Sequence, residues 1–164
     1  MFNKKVFDDA IKHLHTVGKI TPKMLKDKPV KALTVETNKH LMDAVNYGIG
    51  DNVVPEVMRQ KLANDTYIFS GFKTYSQLKT ASELLLDDNG KRKQFAQFAR
   101  DVEAIHANYN KRYLEAEFYF AQGSAQMAAK WAALEDNGRT LLQYRTAGDS
   151  HVRDSHAALR DTTL

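Results

Sequence analysis

Apolar positions near the start of the chain recur every three or four residues, which is the spacing of an amphipathic helix. The recurring residues are Val6, Phe7, Ala10, Ile11 and Leu14. We therefore predict a first helix over residues 3–16, ended by Gly18. Residues 17–35 hold two prolines and five lysines, and this composition predicts a loop or linker.

Two further apolar patterns predict the next helices. The second helix is expected to begin after a cap at Thr37 or Asn38 and to end at Gly48 and Gly50. The third helix opens at Pro55, because proline suits a first turn, where its missing N–H would have had no partner. The positions expected to be buried in these two helices are Leu41, Met42, Val45, Val57, Met58 and Leu62.

A break is expected after the apolar cluster at residues 67–69. Ser70 and Gly71 follow this cluster and predict a turn. Thr74 and Gln77 then form a capping-box pattern, in which each side chain satisfies a free amide at a helix start, so a fourth helix is predicted from there. The run Asp87-Asp88-Asn89-Gly90 predicts a second turn.

Residues 93–136 carry a long apolar row with no proline and a single glycine, Gly123. The row predicts either two consecutive helices, separated near residues 108–110, or one kinked helix. Its large members are expected to be buried, with Trp131 as a core anchor: Phe95, Phe98, Val102, Ile105, Tyr113, Phe120, Met127 and Trp131. Small residues in the second half permit close helix approach: Ala121, Gly123, Ser124, Ala125, Ala128 and Ala129.

The C-terminal part breaks this helical pattern. Residues 141–145 predict a short extended piece, residues 147–149 a turn, and residues 152–159 a last short helix. The predicted fold is therefore mainly α: a multi-helix body with long antiparallel helices and a short C-terminal strand–turn–helix. We divide the chain into a basic helix and linker at 1–33, a helical body at 34–138 and a C-terminal segment at 139–164.

Composition narrows the class without naming a function. The chain has 164 residues, of which 43% are hydrophobic and 27% charged, which suits one globular domain or two small ones. It has no cysteine, so a disulfide framework and a thiolate metal site are excluded. No apolar run approaches 18 residues, and the first residues lack the apolar stretch of a signal peptide. We therefore expect a cytoplasmic origin and no membrane partner.

The net charge of +4 is concentrated at the start of the chain. Residues 1–31 hold eight lysines against three aspartates. The lysines are Lys4, Lys5, Lys12, Lys19, Lys23, Lys26, Lys28 and Lys31. Two interpretations stay open: a solvated lysine-rich surface, or an arm that contacts a polyanion such as DNA.

The densest polar cluster lies within residues 144–159. Arginine binds carboxylates or phosphates through two parallel hydrogen bonds, and histidine moves protons or binds metals. The candidates are Arg145, Asp149, Arg153 and His156. One interpretation is an enzyme site, such as a phosphodiesterase; the other is a rigid loop in which Asp149 caps the last helix and pairs with an arginine. Because no histidine, cysteine or carboxylate cluster shows metal-ligand spacing, we expect no metal and no cofactor.

Three stretches carry a resemblance to a known family: FSGFKTYSQLKTASELL, YNKRYLEAEFYFAQGSAQMAAKW and LQYRTAGDSHVRDSHAAL. With them the chain resembles the phage Mu F-like minor head proteins, the head morphogenesis proteins of tailed phages and prophages. The similarity covers roughly residues 34–164, and the third stretch is the most specific part. The residues of that motif, with a structural or binding role, are Tyr144, Arg145, Thr146, Gly148, Asp149, Arg153 and His156.

The resemblance implies a virion protein rather than an enzyme. Such a protein is present in few copies and acts near the portal vertex during head assembly, in the bacterial cytoplasm and then in the virion head. Its implied partners are the portal and other head proteins, with possible non-specific contact to DNA. The alternatives are a stand-alone nucleic-acid-binding protein and an enzyme built on the cluster around Arg145 and His156.

The resemblance also shows two departures from the family pattern. Relatives continue into a proline-rich segment and a cysteine-containing end, so we expect this chain to stop inside the family's C-terminal domain. Asp161 stands where relatives often carry glycine or asparagine.

Overall fold

The computed structural model describes residues 3–138, 141, 143–146, 148 and 152–163, with only the backbone for residues 106–114. Helix α1 spans Lys4–Val17. Asn3 caps its start by accepting a hydrogen bond from the Lys5 amide, and Gly18 ends it in the left-handed conformation at φ 83°. The predicted first helix is therefore confirmed. A short 3-10 helix follows at Pro22–Lys26.

Helix α2 spans Lys28–Ile49, so much of the predicted loop at residues 17–35 is helical. Asp27 stands at the N-cap position and Pro29 lies in the first turn. Pro29 indicates a helix start, as Pro55 does later in the chain. The prediction of a loop is therefore wrong for residues 28–35. Thr37, expected as a cap, is buried inside α2 and donates a hydrogen bond to the Leu33 carbonyl at 3.0 Å.

Helix α3 spans Glu56–Ser82, and its start after Pro55 is as predicted. The break predicted at Ser70 and Gly71 is wrong, because the helix continues through both residues. The Ser70 hydroxyl donates to the Thr66 carbonyl at 2.7 Å, one turn earlier in the same helix. Thr74 is fully buried in the middle of α3, so the capping-box pattern at Thr74 and Gln77 does not start a fourth helix.

The turn at residues 87–90 is confirmed. Gly90 has φ 74°, and the Asp87 carboxylate accepts hydrogen bonds from the amides of Asn89 and Lys91 at 3.0 and 2.8 Å. Helix α4 then spans Phe95–Asp136, 42 residues or about 63 Å at 1.5 Å per residue. It continues through residues 108–110, so the alternative with two consecutive helices is wrong.

The C-terminal segment has less regular structure than predicted. Helix α5 is a single turn at Asp154–Ala157. Gln143 forms an isolated antiparallel bridge with Thr163, and the Tyr144 amide donates to the Thr162 carbonyl at 2.8 Å. These few hydrogen bonds do not make a β-strand, and the described residues contain no strand. The mainly α class is confirmed, whereas the C-terminal strand–turn–helix is not supported.

The helices enclose two apolar cores that share α2 and α4. The first core takes residues from α1, α2, the end of α3 and the start of α4, and it holds Phe7, Ile11, Leu14, Val30, Leu33, Leu78, Phe98 and Val102. The second core takes residues from α2 and α4, and it holds Leu41, Ala44, Val45, Ile49, Ala121, Ala125 and Ala129. Because α1 supplies Phe7, Ile11 and Leu14, the lysine-rich start of the chain belongs to the folded body.

Buried polar residues separate the two cores along α2 and α3. These residues are Thr34, Thr37, Thr66, Ser70, Lys73 and Thr74. The hydroxyls of Thr34 and Thr37 donate to carbonyls one turn earlier, which satisfies them without a partner on another helix. In the part of the chain that is described, no helix has both the length and the apolar character of a membrane span.

Candidate functional site

The burial of α4 is the largest departure from the sequence-based expectation. Phe98 and Val102 are buried as predicted. The other large residues of the row whose side chains are described are exposed, and the prediction for them is wrong: Phe95, Ile105, Phe120, Met127 and Trp131. The side chain of Tyr113 lies outside the described residues. Trp131, expected as a core anchor, is 48% exposed.

Alanines take the place of these large residues in the contact with α2. The buried positions in the second half of α4 are Ala121, Ala125, Ala129 and Ala132. Their small side chains bring the two helices so close that a Cβ at Gly48 would lie 2.4 Å from the Gln122 carbonyl oxygen. The close packing therefore excludes large side chains from this face of α4 and turns them toward α3 and solvent.

A groove lies between α3 and α4 as a result of this arrangement. Leu41 and Val45 of α2 contribute to its lining, and its volume is about 480 Å³. The other lining residues are Leu62, Asp65, Thr66 and Phe69 of α3, and Ala116, Glu117, Phe120, Ala121 and Ser124 of α4. Phe120 is 77% exposed, and Phe69 beside the groove is also exposed. An open apolar concavity of this size is typical of a docking site.

The polar lining of the groove includes two acidic side chains. Glu117 accepts a hydrogen bond from the buried Lys73 ammonium, and this ion pair ties α4 to α3. Asp65 is the other acidic lining residue and is exposed. The groove is therefore an apolar surface with acidic groups at its edge.

Sequence reasoning missed the groove although its signal is present in α4. Phe120, Met127 and Trp131 follow one another at seven- and four-residue steps, which places them on one helical face. The alanines form a second face of the same helix. Two apolar faces on one helix indicate two packing partners, whereas the expectation from hydrophobicity alone buries both faces.

The eight lysines of the candidate polyanion surface are all exposed. Lys4, Lys5 and Lys12 lie on α1, Lys19 on the following loop, Lys23 and Lys26 on the 3-10 helix, and Lys28 and Lys31 at the start of α2. Lys4 pairs with Glu103, and this hydrogen bond raises the pKa of its ammonium above the usual value, with a further charge contribution from Glu103. Lys4 is thus the member of the set that already has an acidic partner.

A second concavity brings two of these lysines together. It lies between α1 and α2, has a volume of about 400 Å³, and is lined by Lys12 and Lys28 with Asp9, His13 and Thr16. His13 Nε2 lies 2.8 Å from a carboxylate oxygen of Asp27. Lys12 and Lys28 therefore line one concavity between two helices, together with the acidic side chain of Asp9.

The described C-terminal motif residues lie in a loop that is closed by hydrogen bonds of Tyr144 with Asp161 and Thr162. Arg145 Nε lies 3.3 Å from an Asp161 carboxylate oxygen, and the guanidinium also donates to the Gln143 side chain. The rings of Tyr144 and His156 meet edge to face at 6.5 Å. Thr146 is half-buried, Gly148 has φ 74°, and Arg153 stands at the N-cap position of α5. Asp161 is therefore the carboxylate that pairs with Arg145.

Asp149, predicted to cap the last helix and to pair with an arginine, lies outside the described residues. Asp161 has φ 65°, in the left-handed region that favours glycine and asparagine. Among the described residues, no group of three or more histidine, aspartate or glutamate side chains is placed to hold a metal ion. The described motif residues belong to a loop held by backbone hydrogen bonds and by contacts of Arg145 and Arg160 with the Asp161 carboxylate at 3.3 and 4.0 Å.

Comparison of the chain with protein families, with curated proteins and with solved structures gave no match.

Proposed function

We propose that this protein is a minor head protein of a tailed phage or prophage, of the Mu F-like type, which acts near the portal during head assembly. The observation that carries the proposal is the LQYRTAGD run with the VR and HAAL residues that follow it. The backbone of Asp161 supports it, because φ 65° suits the glycine or asparagine that such proteins often carry there. The finer architecture, with a C-terminal strand–turn–helix, is part of the same proposal.

The surface of the helical body is suited to assembly on other proteins. Monomeric soluble proteins rarely expose large contiguous apolar patches, whereas proteins that assemble do. Here the α3–α4 groove and the exposed Met127 and Trp131 form apolar surface along one side of α4. This surface favours a structural role in a complex over the enzyme alternative.

The proposed function predicts that the chain is found in purified phage heads. We expect quantitative mass spectrometry of heads from an induced lysogen to detect it at a few copies per head. A tagged unrelated bacterial protein, expressed at the same level, controls for trapped contaminants. Heads that are complete and infectious without this chain would contradict a role in head assembly.

A contact with DNA is the second function that an observation favours, because Lys12 and Lys28 flank one concavity. Deletion of residues 1–31 is unsuitable as a test, since it would remove Phe7, Ile11 and Leu14 from the first core. We expect the double variant Lys12→Glu and Lys28→Glu to bind duplex DNA at least about tenfold more weakly, and log affinity to fall with log salt at about 0.9 per phosphate contacted.

The matched control carries the same charge change on exposed lysines elsewhere, Lys79→Glu and Lys130→Glu. Fluorescence anisotropy with a labelled duplex at several salt concentrations measures all three proteins. Equal loss in both double variants would mean that only the net charge matters, and it would remove the concavity from the proposal.

A further inference from the structure

The two cores differ in the number of helices around them. Around the first core, α1 packs with α2, with the end of α3 and with the start of α4, so four helices contribute. Around the second core, α2, α3 and α4 continue, and the described residues place no fourth helix there. The α3–α4 groove opens at this second core, over Leu41 and Val45.

The groove lies beyond the N-terminus of α1, along the same three helices. His15, near the end of α1, contacts the Lys93 carbonyl, whereas Lys4 at its start contacts Glu103. The backbone amide of Asn3, at the N-cap of α1, donates a hydrogen bond to the carboxylate of Glu36 on α2. The N-terminal end of α1 therefore contacts residues of higher number on α2 and α4 than its C-terminal end does. It is the N-terminal end that points toward the groove residues at 41–45 and 116–124.

We propose that the α3–α4 groove is the docking site for one amphipathic, basic α-helix of a partner head protein, which completes the four-helix arrangement at the second core. The identity of the partner as a head protein rests on the proposed function. The inference that the bound element is an amphipathic helix rests on the comparison of the two cores. At the first core, α1 occupies the equivalent position with the apolar residues Phe7, Ile11 and Leu14.

The charge of the groove indicates the charge of the helix. Its titratable lining residues are Asp65 and Glu117, both acidic, and Glu117 is already paired with Lys73. A helix with lysine or arginine beside its apolar stripe adds an opposite charge near Asp65, whereas an acidic helix meets like charge. The exposed rings of Phe69 and Phe120 supply the apolar contact on the two sides.

The test uses a designed 18-residue peptide of leucine, alanine and lysine, with leucines at helical spacing, and a counterpart in which glutamate replaces every lysine. Each peptide carries a fluorescein label, and its fluorescence anisotropy reports docking. We expect the anisotropy of the lysine peptide to rise saturably as the protein is added. The glutamate peptide is expected to bind at least about tenfold more weakly.

Three variants locate the site. Phe120→Ser is expected to weaken binding of the lysine peptide by about tenfold or more, because an exposed aromatic anchor is lost while the core is untouched. Asp65→Lys is expected to reduce the preference for the lysine peptide over the glutamate peptide. Tyr47→Ser removes an equally exposed aromatic residue from α2, outside the groove, and is expected to leave binding within about twofold of the parent chain.

Binding that is unchanged by Phe120→Ser, or no saturable binding, would overturn the proposal. Self-association in analytical ultracentrifugation that disappears in Phe120→Ser would also overturn it, and would assign the groove to a second copy of this chain. The two proposals fail separately: a chain found in phage heads that binds no peptide contradicts the groove assignment alone. A chain that binds the peptide but is absent from heads contradicts the head-protein function alone.

Discussion

Replacement of Phe98 by alanine should lower the free energy of unfolding by about 3–5 kcal/mol, the range for removing a buried aromatic ring. Phe98 is fully buried in the first core, and its ring lies 5.3 Å from that of His15 on α1. The ring therefore contacts the helix that closes this core. Because domains are stable by about 5–15 kcal/mol in total, the variant should unfold at clearly lower denaturant concentration.

Phe95→Ala is the matched control for this experiment. Phe95 lies one turn earlier on the same helix, contacts the same His15 ring at 5.4 Å and is partly exposed. Its loss should cost less, about 1–2 kcal/mol, since a side chain that is 36% exposed buries less apolar area than Phe98 does. Urea unfolding followed by circular dichroism measures both variants, and equal destabilisation by the two would contradict the first core as described.

Replacement of Gly48 by alanine should lower the free energy of unfolding by about 1–3 kcal/mol, although alanine is the better helix former by about 1 kcal/mol. The added Cβ would lie 2.4 Å from the Gln122 carbonyl oxygen and 3.0 Å from the Ala125 Cβ. The first contact is with backbone, which a rotamer change cannot relieve. The helices α2 and α4 must therefore separate, and the second core loses packing.

The same substitution should have the opposite effect at Gly71 and Gly123. Both glycines lie inside helices, and a Cβ at either position would meet nothing within 4 Å. Gly71→Ala and Gly123→Ala should therefore raise the free energy of unfolding by up to about 1 kcal/mol. Thermal unfolding of the three variants distinguishes them, and a neutral Gly48→Ala would show that α2 and α4 are not in close contact.

The sequence predicted those elements whose local signals agreed with their packing. Helix α1 has one apolar face, a capping asparagine and a terminal glycine, and it was located within one residue at each end. The turn at residues 87–90 followed from Asp87 and Gly90, whose backbone preferences need no tertiary contact.

The errors occurred where tertiary packing overrode a local signal. Thr74 and Gln77 have capping-box spacing, but Thr74 is buried between helices and α3 continues through it. Gly71 favours a turn locally, yet one glycine costs a long helix only about 1 kcal/mol. Pro29 favours a loop when it is read with the lysines around it, but a proline in a first turn is equally a helix start.

The candidate site could be predicted from the sequence only in part. The eight lysines are exposed, as a solvated or polyanion-binding surface requires, but sequence alone did not show that Lys12 and Lys28 share a concavity. The groove was missed because hydrophobicity favours burial of Phe120 and Trp131 over that of Ala121 and Ala125. The choice between the two faces of α4 depends on the close approach at Gly48, a contact between distant parts of the chain.

Under the proposed function, this chain assembles with other head proteins through the exposed side of its helical body. The most direct measurement is affinity purification of the tagged chain, co-expressed with the portal protein of the same phage or prophage, and quantification of the portal in the eluate. We expect the portal to co-purify in a fixed ratio with the parent chain and with Tyr47→Ser. We expect Phe120→Ser to retain its helical circular dichroism but to yield at least about tenfold less portal. A portal protein that is absent from the parent eluate would contradict the account.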